Sequence, residues 1–240
     1  MRSAAFAVVT LITAATHWSY TDKDGPTHWA ELSPKFGECA AGARQSPIDI
    51  RNAAPADLHP LELRYEPVPL RAVNNGHTIR VDVPKGSRLI VGAHTYRLVQ
   101  VHFHAPSEEA VDGRRHALVA HLVHEDSAGN VAVVAVLFDV GRENASLRTL
   151  FDALPPAPGS ERVLHGENIH IDELLPPKMG YYEYQGSLTT PPCSEGVRWF
   201  VLKQPVSLSA QQLAEFRALY PNNARPLQPA NGRLVRQSAR

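Results

Sequence analysis

The sequence predicts a mostly β, α+β domain with a large twisted, predominantly antiparallel central sheet and short peripheral helices. Short apolar runs are separated by clusters of Pro, Gly, Asn and Asp, which is the pattern of antiparallel strands joined by turns. Only two segments have the apolar spacing of a helix. The 240 residues include neither a linker nor an internal repeat, so a single domain is expected.

The apolar runs define the predicted strands. A hairpin turn is predicted at residues 126–130, DSAGN, between the fifth and sixth of them. Before the first strand, residues 17–43 have no clear period and predict an irregular N-terminal wrap, in which Trp18 and Trp29 serve as packing anchors. The predicted strands cover residues 61–65, 78–83, 88–91, 96–103, 117–124, 131–138 and 199–202.

Two helices are predicted, and each has a recognisable start. Residues 144–154 place leucine and phenylalanine at helical spacing behind Asn144, a favourable N-cap. Ser209 and Gln212 form a capping box, and Pro221 ends the helix that follows them. Neither helix carries a cluster of catalytic side chains, so the chemistry is expected on the sheet.

Composition excludes some classes of partner. The 24 basic and 24 acidic residues cancel at neutral pH, and the hydrophobic fraction of 43% is ample for a core. There is therefore no electrostatic case for binding to nucleic acid or to an anionic membrane. A small, neutral or singly charged substrate fits this balance.

The first fifteen residues, MRSAAFAVVTLITAA, have the features of a secretory signal, namely an early Arg, an apolar run and a small-residue end. Residues 16–240 would then be the mature domain, although a truncated start or an apolar N-terminal strand is the alternative. The run is too short to span a bilayer, so no membrane insertion is expected. Cys39 and Cys193, the only cysteines, form either one disulfide or two buried thiols.

Three histidines form a candidate metal site. His102 and His104 lie two residues apart in a predicted strand, so their side chains share one face. A returning strand at residues 117–124 could bring His121 level with them. Three imidazoles without a fourth protein ligand are typical of catalytic zinc, which keeps a position open for water or substrate. The alternative is a pair of surface or hydrogen-bonded buried histidines.

Seven strings, in order, are similar to those of the alpha-class carbonic anhydrases, and they run from residue 17 to about residue 233. The resemblance implies a bacterial, secreted or periplasmic zinc enzyme that interconverts carbon dioxide and bicarbonate on a large twisted sheet. It also favours the disulfide over two thiols. The strings are HWSY at 17–20, QSPIDI at 45–50, NNGH at 74–77, QVHFHAPSE at 100–108, HLVH at 121–124, GSLTTPPC at 186–193 and NARPLQP at 223–229.

The resemblance implies roles for the matching residues. His102, His104 and His121 would bind Zn²⁺, whose bound water has a pKa near ~7, a reference value that comes from carbonic anhydrase itself. Thr189, hydrogen-bonded to Glu108, would orient the resulting hydroxide.

Further residues would handle substrate and protons. His77 would carry the proton to buffer, and Thr190 would help to hold bicarbonate. An apolar wall would receive carbon dioxide, although plain core packing is the alternative for its members. The wall comprises Val123, Val133, Leu188 and Trp199. The supporting residues would be Gln100 as acceptor for a ligand proton, Asn75 beside the water chain and Tyr20 at the edge of that water chain.

The sequence departs from the family in two places. Many members have a glutamate two residues before the third ligand, where this chain has Val119. The glutamate–histidine pair common after the first two ligands is replaced by Glu108 and Glu109. Loss of such a partner typically costs about 10- to 100-fold in metal affinity or activity. A backbone carbonyl or a water is the expected substitute.

Two rival functions are considered, and only the first follows from a departure, that at Val119. One is a catalytically weak or inactive binding domain of the same fold, although the three ligand histidines argue against it. The other is a zinc hydrolase for a different substrate, which lacks support because there is no HExxH helix and no carboxylate is expected beside the ligands as a general base. A monomer or a homodimer is expected.

Overall fold

A computed structural model describes residues 16–239. In this range the α-helices are α1 Trp29–Leu32, α2 Glu38–Ala41, α3 Ala145–Phe151 and α4 Ala210–Leu219. The strands are β1 Asp49–Ile50, β2 Ala54–Pro55, β3 Leu61–Arg64, β4 Val68–Asn74, β5 Ile79–Asp82, β6 Arg88–Val91, β7 His94–His104, β8 Ala110–Val111, β9 Arg114–Arg115, β10 Leu118–Glu125, β11 Val131–Val140, β12 Glu161–Ile169, β13 Tyr181–Ser187, β14 Glu195–Leu202, β15 Val206–Leu208 and β16 Arg236–Gln237.

A 13-stranded sheet dominates the molecule, and its central order is β12-β4-β5-β7-β10-β11-β14-β13-β16-β2. Most neighbours are antiparallel, while β11 runs parallel to both β14 and β15 and β16 runs parallel to β2. A small second sheet joins β1, β8 and β9. The predicted fold class is confirmed.

Three of the longer strands, β4, β12 and β13, are absent from the prediction. The clearest case is β12, in which only Ile169 is buried. An edge strand that is exposed along most of its length has no hydrophobic alternation to reveal it. Its antiparallel pairing with β4 decides its conformation instead.

The two faces of the sheet bury different clusters of side chains. On β10, Leu118, Ala120 and Leu122 belong to the large core that includes Phe103 and Phe138. The alternate residues Val119 and Val123 belong to a second cluster with Val133 and Trp199. Because successive side chains of a strand point to opposite faces, His121 lies on the side of the second cluster. The candidate site therefore occupies one face of the sheet centre.

The predicted helix starts are confirmed. The Asn144 side chain accepts a hydrogen bond from the Leu147 amide at the start of α3, and Ser209 and Gln212 form the predicted capping box of α4. The two helices pack together on the side of the large core, where the rings of Phe151 and Phe216 are 6.2 Å apart. Both helices therefore lie on the side of the sheet away from the histidine cluster.

The N-terminal wrap begins in the described range, whereas the predicted signal at residues 1–15 lies outside it. Trp18, Tyr20 and Trp29 contact one another edge to face. None of the helices in residues 16–239 is long and apolar enough to span a membrane.

A disulfide joins Cys39 and Cys193 across a sequence separation of 154 residues. Replacing both cysteines by serine is expected to lower the free energy of unfolding by about 2–5 kcal/mol, because the unfolded chain regains the entropy of a long loop. Urea unfolding of the variant and of the native protein measures the difference. The expectation is wrong if the two midpoints coincide.

Candidate metal centre

The three predicted ligands meet at the centre of the large sheet. In the antiparallel pairing of β7 with β10, His121 lies directly opposite His102, and His104 follows two residues later on the same face of β7. One ring nitrogen from each histidine lies within 4.8 Å of the other two. The structure thus brings together three residues that the sequence separates by up to 19 positions.

The other ring nitrogen of each histidine has a hydrogen-bond acceptor. A carboxylate and a backbone carbonyl can only accept, so the facing ring nitrogens must donate, and the remaining nitrogen of each ring keeps its lone pair. The acceptor pairs are His102 Nδ1 with Gln100 Oε1 at 2.8 Å, His104 Nδ1 with Asn223 O at 2.7 Å, and His121 Nε2 with Glu109 Oε1 at 3.0 Å.

The remaining nitrogens fit a metal ion. Nε2 of His104 is buried without a hydrogen-bond partner, an arrangement that is costly unless a ligand satisfies the atom. Burial, together with the neighbouring histidines, lowers the pKa of His102 and of His104 well below 6.5. Neutral imidazoles are the form in which histidine binds metals. The donor set therefore suits a borderline cation such as zinc.

His121 differs from the other two ligands in its charge environment. Burial lowers its pKa, but Glu109 and Glu108 together outweigh burial, and the net pKa is raised above 6.5. A proton on this ring competes with a metal ion for the same site. Metal binding is therefore expected to weaken in acid chiefly through His121.

Glu108 lies beside the ligands and is fully buried. Its Oε1 accepts a hydrogen bond from the Arg225 amide at 2.8 Å, and the nearby Thr189 side chain acts to lower the pKa of its carboxyl. Its Oε2 lies 3.5 Å from Nε2 of His104 and has no hydrogen-bond partner. Burial raises the pKa of this carboxyl to about 7, against the lowering effects of His121, Thr189 and Arg225.

Replacing Glu108 by glutamine should change the pH dependence of stability in the metal-free protein. A carboxyl with a higher pKa in the folded state holds more protons there, so its contribution to stability falls as the pH rises from 4.5 through about 7. The full difference corresponds to about 3 kcal/mol. Glutamine does not titrate, so the variant should gain stability relative to the native protein across this window.

Urea unfolding of both chelated proteins at about pH 5 and about pH 8 tests this expectation. Comparing the two proteins at each pH removes the contribution of histidines that do not sense Glu108. The pKa of His121 is raised by Glu108, so its change in the variant adds to the difference with the same sign. A difference in unfolding free energy that does not vary with pH contradicts the raised pKa of Glu108.

Thr189 and Thr190 lie in the loop that follows β13. Thr189 is buried and Thr190 is half-buried. The loop closes on itself where the Cys193 amide donates to the Thr190 carbonyl at 2.9 Å, and the disulfide ties it to α2. The hydroxyl of Thr189 is thus held next to Glu108 by the fold around it.

The four predicted wall residues lie together in the second cluster. Val133 and Trp199 are buried, and Val123 and Leu188 pack against them. The Trp199 ring stands edge-on to the ring of His121 at 5.0 Å, and its Nε1 donates to the Ser187 carbonyl at 3.1 Å. An apolar surface therefore adjoins the third ligand.

The remaining predicted residues lie towards the N-terminal wrap. His77 stacks on Trp18 with a centroid distance of 3.6 Å, and partial burial together with His17 lowers its pKa. The Asn75 Oδ1 accepts from the amides of His77 and Thr78, so it fixes the turn that carries His77. The Tyr20 ring lies 6.5 Å from His104.

The structure corrects two expectations. The side chain of Glu109 accepts from His121 where a backbone carbonyl or a water was expected. No carboxylate was expected beside the ligands as a general base, and the structure places both Glu108 and Glu109 there. The contact of Glu109 with His121 and that of the Asn223 carbonyl with His104 were not predicted. The altered pair at 108–109 was the available signal for the former.

His124 faces the other side of β10, as its position three residues after His121 predicts. It is buried, and its Nε2 lies 2.9 Å from the Tyr65 hydroxyl. Burial lowers its pKa to about 3. It is a neutral partner of the large core and takes no part in the histidine cluster.

Comparison with known proteins agrees with this geometry. Residues 24–239 match the family model described as eukaryotic-type carbonic anhydrase. A carbonic anhydrase from Pectobacterium carotovorum is 42% identical, covering 93% of this chain and 91% of that protein. The corresponding enzyme of Nostoc is 41% identical, covering 91% and 85%.

Solved structures give the same result. An alpha-carbonic anhydrase from Thermovibrio ammonificans, in complex with the inhibitor sulfanilamide, superimposes with a TM-score of 0.90 at 45% identity. It covers 93% of this chain and 100% of the other chain. A Photobacterium profundum alpha-carbonic anhydrase gives a TM-score of 0.86 at 46% identity, with 91% and 99% covered.

Fold and site together define a single-domain β enzyme with a three-histidine centre on the face of its sheet. The chain belongs to the eukaryotic-type, or alpha, carbonic anhydrase family. The resemblance inferred from the seven strings is confirmed, and with it the prediction of an enzyme.

Proposed function

We propose that this protein catalyses the reversible hydration of carbon dioxide to bicarbonate and a proton with a zinc ion held by His102, His104 and His121. The observation that carries the proposal is the convergence of three ring nitrogens beside the Thr189–Glu108 pair. His102, His104 and His121 would hold the zinc as neutral imidazoles, and the ion would supply a nucleophile at neutral pH, since the pKa of water on such a zinc is about 7, a value known from this family.

Thr189 and Glu108 orient this nucleophile. Above its pKa of about 7 the Glu108 carboxyl is ionised and can only accept hydrogen bonds, so the Thr189 hydroxyl must be the donor between them. The Thr189 hydroxyl oxygen would then be free to accept a hydrogen bond and so orient the nucleophile that the metal would supply. Thr190 contacts bicarbonate.

The apolar wall beside His121 suits carbon dioxide, which offers little to hydrogen-bond. Val123, Val133, Leu188 and Trp199 exclude water from that side of the site, since they form one apolar cluster. Bicarbonate is charged and gains nothing from this surface, so the wall favours release of the product.

Zinc content and hydration rate test the proposed function together. The purified protein should contain about one zinc per chain and should hydrate carbon dioxide rapidly in a stopped-flow assay with a pH indicator. Bound zinc without hydration would favour the rival hypothesis of an inactive binding domain. That hypothesis is already disfavoured, because all three ligand positions are histidines. Peptidase or esterase activity exceeding hydration would favour the rival hydrolase.

Replacing His77 by alanine is expected to slow proton release to buffer and leave substrate conversion intact. In dilute buffer kcat should fall by up to about 100-fold, while kcat/KM stays near its native value because it reports earlier steps. Added imidazole should restore kcat. His165→Ala, which removes an exposed histidine of β12, is the control, and an equal loss in both variants contradicts the role of His77.

We also propose export to the periplasm or beyond, with removal of residues 1–15. The disulfide between Cys39 and Cys193 fits an oxidising compartment, and the apolar N-terminal sequence fits a secretory signal. Fractionation of expressing cells followed by N-terminal sequencing tests both points. We expect a monomer or a homodimer, which sedimentation velocity distinguishes.

A further inference from the structure

The carboxylate that contacts His121 comes from outside the strand that carries this histidine. Glu109 lies in the connection after β7, immediately before β8. Its Oε1 is 3.0 Å from Nε2 of His121, and both side chains are buried. Elsewhere in residues 16–239, no side chain hydrogen-bonds the His121 ring.

The backbone around Glu109 is held from two sides. The Ser107 hydroxyl donates to the Glu109 carbonyl at 2.7 Å and accepts from the His116 amide at 2.9 Å. The next residue, Ala110, donates from its amide to Ile48 and pairs with β1. The carboxylate is therefore presented to His121 by a braced segment, which limits the conformational freedom lost on making the contact.

Val119 occupies the position on β10 from which a carboxylate could reach the same ring. It lies two residues before His121, so the two side chains share one face of the strand. It is fully buried and belongs to the apolar cluster with Val133 and Trp199. The chain thus has an acid at 109 and an apolar residue at 119.

We propose that Glu109 is the positioning residue that turns the lone pair of His121 Nδ1 towards the metal. Val119 complements Glu109 because it leaves the same-face position on β10 without a competing acid. Glu109 fixes the proton of His121 on Nε2 because a carboxylate accepts and does not donate. An acid at position 119 would be the third carboxylate in a buried space that already holds Glu108 and Glu109. Burying this further charge would cost folding free energy. The proposal rests on the metal binding proposed above.

Zinc affinity is the measurement that isolates this role. Chelated protein is titrated with zinc against a chromophoric chelator, and the Kd is obtained without any assay of activity. Glu109→Ala should weaken zinc binding by about 10- to 100-fold. Glu109→Gln keeps the shape of the side chain and loses its charge, so it reports on the carboxylate even if the alanine variant folds poorly. An intermediate loss is expected for it.

Moving the carboxylate tests the pairing of the two positions. In the double variant Glu109→Ala, Val119→Glu, the acid is supplied from the strand of His121 itself, and the zinc Kd should return to within about tenfold of the native value. Val119→Glu alone should lower the stability of the metal-free protein. The two single variants and the double variant form a double-mutant cycle. Changes in zinc Kd that do not add in this cycle report direct coupling between positions 109 and 119.

Glu62→Gln is the matched control, because Glu62 is exposed and pairs with Arg64 away from the site. Zinc binding by the native protein tests the proposed function, and a native protein that binds no zinc overturns that function. If the native protein binds zinc and both Glu109 variants bind it equally well, the positioning role is overturned instead. A folded double variant without recovered affinity overturns the pairing with Val119.

Discussion

Replacing His104 by alanine is expected to abolish stable zinc binding and carbon dioxide hydration together. Loss of a mere hydrogen-bond partner of a ligand costs about 10- to 100-fold, so loss of a ligand should lower kcat/KM by more than about 100-fold. His104 is also the histidine whose Nε2 is buried without a protein partner. Among the residues that the structure describes, only His102 and His121 share this cluster with it. Zinc content and stopped-flow hydration, measured on the same preparation, check the prediction.

His94→Ala is the matched control for this experiment. His94 lies at the start of β7, on the same strand as His104, but it is exposed. Its removal should leave both zinc content and hydration near native values. Retention of full zinc and full activity in the His104 variant would exclude the three-histidine centre as the catalytic site.

Replacing Thr189 by valine is expected to separate metal binding from catalysis. Valine matches the shape of threonine but has no hydroxyl, so the link between Glu108 and the nucleophile is lost while the three ligands remain. Misdirection of a reacting group typically costs about 100-fold, and the same loss is expected in kcat/KM. Zinc content should not change, and both quantities are measured by the assays already described.

Thr189→Ser provides the control because it keeps the hydroxyl and removes only a methyl group. It should retain most of the native rate if hydrogen bonding to Glu108 is what matters. Equal losses in the valine and serine variants would instead point to packing of the loop. The double variant Thr189→Val, Glu108→Gln should be little worse than either single variant, since the two residues act as one unit.

Much of the site could be predicted because strand periodicity and the sequence motifs can both be read from short stretches of the chain. The spacing of His102 and His104 predicts a shared face, and the apolar run around His121 predicts a returning strand. The observed pairing of His121 with His102 agrees with both. The exposed edge strand β12 was missed, since backbone pairing shaped it without leaving a hydrophobic pattern.

By itself the sequence determined the family, the strands of the sheet centre, the starts of α3 and α4 and the identity of the three candidate ligands. Only the tertiary structure decided which groups support those ligands. Glu109 and the Asn223 carbonyl contact His121 and His104 from 12 and 119 residues away along the chain. Such contacts depend on how loops return to the sheet face, which no local period encodes, and so the contact of Glu109 with His121 became visible only in the folded protein.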